Sequence, residues 1–471
     1  MSVSNIFSSK LYLGICFFLY SIPIFFSPFF MYEHDWQRVF QASIGSVAVF
    51  FYAFSTAGEE FLGKQKILLL FLFFWGVVSS IFSNQPSWGM VEVSVFWVCV
   101  CVSLVFFKAR ACVGMKLDYG FLVVLIFLIA AKVTQFFSAT LSAFMSDGLV
   151  FDTDLLLAGF SNKRFYGQFQ TFTLPLLVFP LIALNIKRPT KCWVVTLLSL
   201  WWMIAISGGT RGTWLGLGVA ACVVFMTGSS GKRWVAWQLF AVAVGLTFYW
   251  LLFSVLTGYL GIDVANFAGD RLTTSLSNRG PLWQQAWDMI RERPWLGFGP
   301  MHFADIHNPI AAHPHQAILQ WACEWGIPST LLVMWLVGRG LWATFRLVRE
   351  RADSNDPVDL LRVCLFASLI GALTQSMVDG VIVMPYSQLW LSLVVGWLMG
   401  IHVWKSEPAK PSVFIHWSWM GISSAAVLFL VYVVIRDVPH LDERNKLYQQ
   451  QYGGHLQPRF WAQGVIAIKP E

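Results

Sequence analysis

The stretch MVEVSVFWVCVCVSLVFF, residues 90–107, contains a single charged side chain, that of Glu92. A run of this kind is long enough for a helix to cross the hydrocarbon core of a bilayer, which takes about 17–25 predominantly apolar residues. Comparable apolar runs lie near residues 11–31, 38–57, 66–83, 119–138, 168–186, 192–209, 213–229, 234–256, 315–338, 360–380, 386–404 and 413–435. Together they predict an all-α, polytopic integral membrane protein of about 12–13 transmembrane helices.

The composition supports a membrane protein and argues against a soluble one. Hydrophobic residues make up 57% of the chain and charged residues 12%, about half the charge of an ordinary soluble domain. The formal net charge is +7, but the basic residues fall between the apolar runs. Membrane topology therefore explains them, and no nucleic-acid partner is expected. The eight cysteines form no CxxC pair, so neither a disulfide framework nor a zinc site is expected.

The connecting loops predict an orientation. With the N-terminus inside, and an uncleaved first span after Lys10, every inside loop is basic, as the positive-inside rule requires. These loops carry Lys64 and Lys66; Lys108, Arg110 and Lys116; Lys187, Arg188 and Lys191; Lys232 and Arg233; Arg339, Arg346, Arg349 and Arg351; and Lys405 and Lys410. The outer side then receives the loop 139–167, the turn 208–211 and the loop 257–314.

The long loop divides the chain into four parts. They are the N-terminal transmembrane helices 1–256, the large outer loop 257–314, the C-terminal transmembrane helices 315–435 and a tail, 436–471. The tail lies outside if the last span is real, where it could hold a protein acceptor or rest on lipid headgroups.

One helix is expected within the long loop. Apolar residues recur at helical spacing from Leu282 to Ile290, after Pro281 and the possible caps Ser277 and Asn278. This pattern predicts an amphipathic helix lying on the outer membrane surface.

Arginine side chains at the predicted outer edge are candidates for binding an anion. Arg211 follows Gly208, Gly209 and Thr210 and precedes an apolar run. A guanidinium so close to the hydrocarbon is costly unless it snorkels to the interface or binds a ligand, and both interpretations stay open. Arg279 and Arg164, in outer loops, add positive charge that would attract an anionic lipid substrate.

Two histidines, His313 and His315, flank a proline where an apolar run begins. Near a helix N-terminus the dipole disfavours imidazolium, so His315 could serve as a neutral base. They could instead be interfacial residues, or a zinc-binding pair, although the spacing shows no third ligand. Glu324 lies about two to three turns further on, where a carboxylate needs a partner or a role. Asp379, near the outer end of a later span, is a weaker candidate of the same kind.

These residues resemble the O-antigen ligase superfamily of bacterial inner-membrane glycan transferases. One family motif is Arg, three residues and Leu, matched by Arg211 and Leu215. The other is His, then Asn, Ser or Gln, nine residues and Gly, matched by His315, Gln316 and Gly326.

The resemblance covers residues 200–335 well and the remainder by topology alone. Residues 277–299, with Trp283 and Trp287, are similar to the family's large periplasmic loop. One departure is Ser329, where the family usually has Gly, Thr or Tyr.

The hypothesis for the reaction is a metal-independent transfer without a cofactor, in which a direct displacement would invert the anomeric centre, and the resemblance implies the class of substrate. The donor would be a glycan on undecaprenyl diphosphate, and an acceptor hydroxyl would attack it at the periplasmic face of a bacterial inner membrane. The expected assignments are His315 as the catalytic base, Arg211, Arg279 and Arg164 at the diphosphate, and His313 and Glu324 in support.

The acceptor stays open among the activities of the superfamily. Lipid A–core, as in an O-antigen ligase, is the first expectation. Pilin or another protein glycosylated on Ser or Thr, and a growing glycan in an O-antigen polymerase, are the alternatives. A lipid or solute transporter is the rival from another class, although the sequence shows no internal repeat.

Overall fold

Helices dominate the computed structural model, which describes residues 32–54, 63–145, 150–265, 268–271, 279–404 and 413–467. The helices are α1 (Glu33–Phe54), α2 (Gly63–Ile81), α3 (Pro86–Val113), α4 (Met115–Phe144), α5 (Lys163–Leu177), α6 (Phe179–Ala183), α7 (Arg188–Ser207), α8 (Arg211–Phe225), α9 (Ser229–Trp250), α10 (Thr257–Leu260), α11 (Arg279–Glu292), α12 (Ala317–Trp325), α13 (Ile327–Glu350), α14 (Pro357–Gln375), α15 (Pro385–Gly400), α16 (Val413–Asp437) and α17 (Leu441–Tyr452). A π-helical turn joins α9 to α10. Two short strands, β1 (Val150–Asp152) and β2 (Asp263–Ala265), pair in parallel.

Eight helices among the described residues are long and apolar enough to cross a membrane, and the all-α polytopic fold is confirmed. They are Pro86–Val113, Met115–Phe144, Lys163–Ala183, Arg188–Ser207, Ser229–Leu260, Ile327–Glu350, Pro357–Gln375 and Val413–Tyr452. Two shorter apolar helices are Gln65–Ile81 and Arg211–Phe225. The first expected span, 11–31, and the expected caps Ser277 and Asn278 lie outside the described residues.

The apolar run at 315–338 is not one continuous helix. It comprises α12 and the first half of α13, which are separated by Gly326 with φ 81°. A side chain at Gly326 would lie 1.9 Å from the carbonyl oxygen of Trp295, so only glycine allows this backbone approach. The span therefore begins at Ile327, and His315 and Glu324 precede it.

The chain forms two compact units, each built from segments distant in sequence. Unit 1 comprises Met1–Cys112, Leu276–Gly340 and Ser376–Glu471. Unit 2 comprises Val113–Ser275 and Leu341–Gln375.

The amphipathic helix of the long loop packs on protein within unit 1. The apolar residues Leu282, Ala286 and Ile290 of α11 share a buried cluster with Phe303 and Cys323. The expectation that this face lies on the membrane surface is wrong, because the loop after α11 and the helix α12 cover it.

The C-terminal tail also belongs to the core of unit 1. Phe460 and Trp461 are buried, and the backbone N–H of Ile466 donates to the carbonyl of Ala304 at 3.0 Å. The side chain of Gln457 donates to the carbonyl of Asn308 at 2.7 Å. This part of the tail is therefore a structural element rather than a segment resting on lipid headgroups.

Close helix packing organises unit 2. The helices α8 and α14 approach so closely at Gly216 that a side chain there would lie 2.5 Å from the carbonyl oxygen of Gly371. The neighbouring helix α5 approaches the start of α8, where Gly167 faces the hydroxyls of Thr210 and Thr213. Small residues at these points let the backbones pack directly, as is common between membrane helices.

Candidate functional site

The two histidines of unit 1 lie against each other in an irregular segment just before α12. Their ring centroids are 4.1 Å apart, and both side chains are largely buried. The backbone N–H of His315 donates to Nδ1 of His313 at 3.3 Å. His315 has φ 54°, in the left-handed region that few residues other than glycine adopt. Strain of this kind persists where surrounding structure holds it, and it is frequent at functional sites.

The turn that follows α14 in sequence contacts both histidines. Oδ1 of Asp379 lies 3.9 Å from Nδ1 of His315 and accepts the N–H of Gly380 at 2.8 Å. A side chain at Gly380 would lie 2.7 Å from the ring of His313, so the imidazole rests directly on that backbone. Asp379 is 5% exposed, and it brings a negative charge to the Nδ1 side of His315. The opposite ring nitrogen, Nε2, is then the one suited to accept a proton.

The helix α11 holds the histidine segment from another direction. The indole N–H of Trp283 donates to the carbonyl of Pro314, between the two histidines, at 3.1 Å. Arg279 is the first residue of α11 and stands four positions before Trp283. Residues four apart lie on the same helix face, so Arg279 is on the face directed at this segment.

The first turn of α12 completes the surroundings of His315. The side chain of Gln316 caps the helix by accepting the N–H of Leu319. The N–H of Ala317 donates to the carbonyl of Ser376 at 2.9 Å. His315 therefore directly precedes a capped helix N-terminus, which is tied to the turn that carries Asp379.

Glu324, expected to support the site, has a different partner. It lies at the far end of α12, where its Oε2 is 2.6 Å from a guanidinium nitrogen of Arg459 in the tail. Both side chains are almost fully buried, and Glu92 lies 3.5 Å from the same guanidinium nitrogen. Burial raises the pKa of the Glu324 carboxyl, and the charge of Arg459 works against that rise. The pair thus anchors α12 from its C-terminal end.

In unit 2, Arg211 is the first residue of α8. The preceding Gly209 has φ 60°, which lets the chain turn sharply into the helix. Thr213, in the first turn, receives hydrogen bonds from the hydroxyl of Thr210 at 2.9 Å and from the amide of Gln375 at 3.3 Å. Arg211 is thereby held at a defined helix start and is half-buried.

Arg164 occupies a comparable position on the neighbouring helix. It is the second residue of α5, whose N-terminus is capped by the Asn162 side chain. The preceding Lys163 forms an ion pair with Asp154 at 2.6 Å. Because Gly167 of α5 faces the start of α8, Arg164 and Arg211 begin adjacent helices of unit 2.

The three candidate phosphate-binding arginines therefore share one setting. Arg164, Arg211 and Arg279 all stand in the first turn of a helix. A cation is unfavourable there, because the helix dipole places partial positive charge at the same end. Backbone N–H groups and guanidinium groups together suit an anion such as a phosphate.

The structure adds three residues that sequence reasoning missed or undervalued. Asp379 was visible only as a carboxylate near a span end. Trp283 was visible as one apolar residue of the predicted helix and through the family resemblance, and Arg459 only as one residue of the tail. Each of these three residues contacts a segment that is distant in the chain, and no local sequence pattern indicates such a contact.

The fold and these groups define a multi-pass membrane protein with a histidine–carboxylate centre in one unit and helix-terminal arginines in both. Such a combination suits the transfer of a group from a phosphate-bearing donor. Residues 194–334 match the family model described as O-antigen ligase. The match confirms the resemblance seen in the sequence over this part of the chain, and members of the O-antigen ligase family transfer glycosyl groups. A search of curated proteins found no match to the chain.

Proposed function

We propose that this protein is an O-antigen ligase, which transfers a glycan from undecaprenyl diphosphate to a hydroxyl of lipid A–core at the periplasmic face of a bacterial inner membrane. The observation that carries the proposal is the setting of His315. It is largely buried, stands in a left-handed backbone conformation and has the Asp379 carboxylate beside its Nδ1.

The proposed reaction is a single displacement at the anomeric carbon. Nε2 of His315 takes the proton of the acceptor hydroxyl while its oxygen bonds to that carbon. The bond from this carbon to the diphosphate oxygen breaks, and the electron pair leaves with undecaprenyl diphosphate. The anomeric configuration is inverted, and no metal or cofactor takes part.

The other residues are assigned by their chemistry. Asp379 positions His315 and stabilises the imidazolium that forms. Arg211 and Arg279, with Arg164 in a lesser role, bind the diphosphate, where negative charge builds as the bond breaks. His313 supports His315 by accepting its backbone N–H.

The test is a transfer assay with purified protein reconstituted in liposomes. We expect His315→Ala to lower kcat by about two to four orders of magnitude, the usual contribution of a positioned base. Arg211→Ala should lower activity by a comparable factor, because its charge stabilises the leaving group. The matched control is His307→Ala, since His307 is an exposed histidine of the same loop and contacts the ring of Tyr452. Wild-type activity in the His315 variant would disprove the assignment of the base.

The acceptor is tested in a strain that lacks the gene. Loss of O-antigen on an intact lipid A–core would support the ligase. Unmodified pilin with normal lipopolysaccharide would show a protein-glycosylating enzyme instead, and single-unit O-antigen would show a polymerase. Normal glycosylation of all three would refute the proposed function and favour a transporter or scaffold.

A further inference from the structure

The turn that carries Asp379 ends where α15 begins, and its backbone groups find partners in two ways. Within the turn, the N–H groups of Val383 and Met384 donate to the carbonyl of Gly380 at 2.9 and 3.0 Å. The carbonyls of Ile382 and Val383 instead accept hydrogen bonds from side chains outside the turn. Whatever holds these two carbonyls therefore also holds Gly380, whose N–H donates to Asp379 at 2.8 Å.

Arg38 of α1 and Gln388 of α15 are the side chains that bind the two carbonyls. Nη2 of Arg38 donates to the carbonyl of Val383 at 2.9 Å. Nε2 of Gln388 donates to the carbonyl of Ile382 at 2.8 Å. Nη1 of Arg38 also donates to Oε1 of Gln388 at 2.8 Å, so the two side chains are fixed relative to each other. Two consecutive carbonyls of the turn are thus held by one connected pair of side chains, the Arg38–Gln388 pair.

The other contacts of Arg38 leave none of its N–H donors unused. Its Nε donates to the carbonyl of Phe460 at 3.0 Å, and Nη2 donates to the carbonyl of Arg459 at 2.9 Å. Nη1 also donates to the amide oxygen of Gln41. A guanidinium has five N–H groups, and Arg38 makes five hydrogen bonds, all to uncharged oxygens of described residues. Burying such a charge is costly, and the five fixed donors specify where the carbonyls must lie.

We propose that Arg38 and Gln388 are positioning residues for the transfer reaction. By holding the turn 376–384, they keep the carboxylate of Asp379 beside Nδ1 of His315. The proposal rests on the proposed function, because His315 is the base assigned there. Oδ1 of Asp379 lies 3.9 Å from Nδ1, just beyond hydrogen-bond distance. A small displacement of the turn therefore decides how strongly the carboxylate stabilises the imidazolium.

Gln388→Met isolates the contact with the turn, because it removes the donor to Ile382 and keeps a side chain of similar length. Arg38 is less suitable, since its substitution would also release two carbonyls of the tail. The matched control is Gln41→Met. Gln41 donates to the same oxygen of Gln388 at 2.9 Å and accepts from Arg38, but its hydrogen bonds reach no group of the turn. Both variants disturb the pair, and only the first releases a carbonyl of the turn.

The first experiment measures kcat and KM in the reconstituted transfer assay for Gln388→Met, Asp379→Asn and the double variant. We expect Gln388→Met to lower kcat about five- to tenfold, as the loss of one hydrogen bond would, with KM nearly unchanged. In the Asp379→Asn background the same substitution should lower kcat no further, because the carboxylate that it positions is already absent. Additive losses, or an equal loss in Gln41→Met, would overturn the proposal.

The pH profile of kcat separates positioning from general damage. The base must be unprotonated to act, and a carboxylate beside an imidazole favours the protonated form. Asp379 and the ring of His313 both lie against His315, and His313 is the same in every variant. We expect Gln388→Met to move the acidic limb of the profile to lower pH, in the direction of Asp379→Asn, while Gln41→Met leaves it in place. A lower kcat with an unmoved limb would contradict the proposal.

A further experiment needs no turnover. Diethyl pyrocarbonate reacts with the neutral imidazole, and mass spectrometry gives the rate of its reaction at His315 as a function of pH. We expect this rate to rise at lower pH in Gln388→Met than in the wild type or Gln41→Met. The shift in a protein that transfers no glycan would keep the positioning of Asp379 and refute the proposed function. Identical profiles in a protein that transfers glycan normally would refute the positioning and keep the proposed function.

Discussion

Arg211 and His315 belong to two regions whose backbones are of opposite character. Arg211 begins a regular helix, and the two glycines and the threonine before it turn the chain into that helix. His315 stands in an irregular segment with a left-handed backbone angle. A helix satisfies most of its own backbone hydrogen bonds, whereas an irregular segment must find partners elsewhere.

The difference shows where each region obtains its stability. The α8 region depends on close helix contact, at Gly216 against Gly371. The histidine segment depends on groups from distant parts of the chain: Trp283 of α11, the turn at Asp379 and, through α12, Arg459 of the tail. We therefore expect the histidine segment to respond to changes far from it, and the Arg211 region to respond to the size of helix-packing residues.

The largest expected effect comes from the buried ion pair between Arg459 and Glu324, at the far end of the helix that follows the histidine segment. Arg459→Met would leave Glu324 buried without its cation, which costs about 3–5 kcal/mol in comparable cases. We expect a marked drop in the thermal unfolding midpoint of the detergent-solubilised protein, measured by tryptophan fluorescence.

A surface pair on the same tail is the control for this change. Lys446 and Asp442 form an ion pair at 2.7 Å in which both side chains are more than 60% exposed. Lys446→Met should therefore lower the midpoint little. If Arg459→Met behaved like Lys446→Met, the tail would not stabilise the segment that precedes α12.

A smaller effect is expected at the helix contact that holds α8. In Gly216→Ala the new methyl group would lie 2.5 Å from the carbonyl oxygen of Gly371, and overpacking of this kind costs about 1–3 kcal/mol. Gly218→Ala, two residues further along the same helix, meets no atom within 4 Å and should leave stability unchanged or raise it. Thermal unfolding of the two variants side by side tests the contrast. Equal midpoints would mean that α8 can move away from α14 without cost.

The smallest effect on stability is expected at Trp283, although a substitution there should also lower the rate of the reaction. Trp283→Phe keeps an aromatic ring but removes the donor to Pro314, a loss of about 0.5–1.5 kcal/mol. We expect kcat in the transfer assay to fall several-fold with KM nearly unchanged, because the histidine segment loses one support while the donor contacts remain.

The control is Trp287→Phe, one turn later on the same face of α11, where the side chain is 45% exposed. This variant should have the kcat of the wild type. An unchanged kcat in the Trp283 variant would show that the remaining contacts hold His315 without the indole.

The extent to which the site could be read from the sequence differs between the two regions. The start of α8 at Arg211 was visible, because a glycine pair and a polar residue before an apolar run are local signals. The division of the run 315–338 was missed, although Gly326 and Pro328 are local signals for the end of one helix and the start of the next. The contact of Gly326 with Trp295 shows why the helices separate there.

The sequence by itself determined that the chain is a polytopic helical membrane protein, and it marked Arg211 and His315 as candidates. Hydropathy and motif spacing are properties of neighbouring residues, and they can be read without knowledge of the fold. The tertiary structure alone decided that Asp379 faces His315, that Arg459 neutralises Glu324 and that α11 covers protein instead of lipid. These contacts depend on which distant segments pack together, and neither the composition nor the local spacing of residues shows which segments those are.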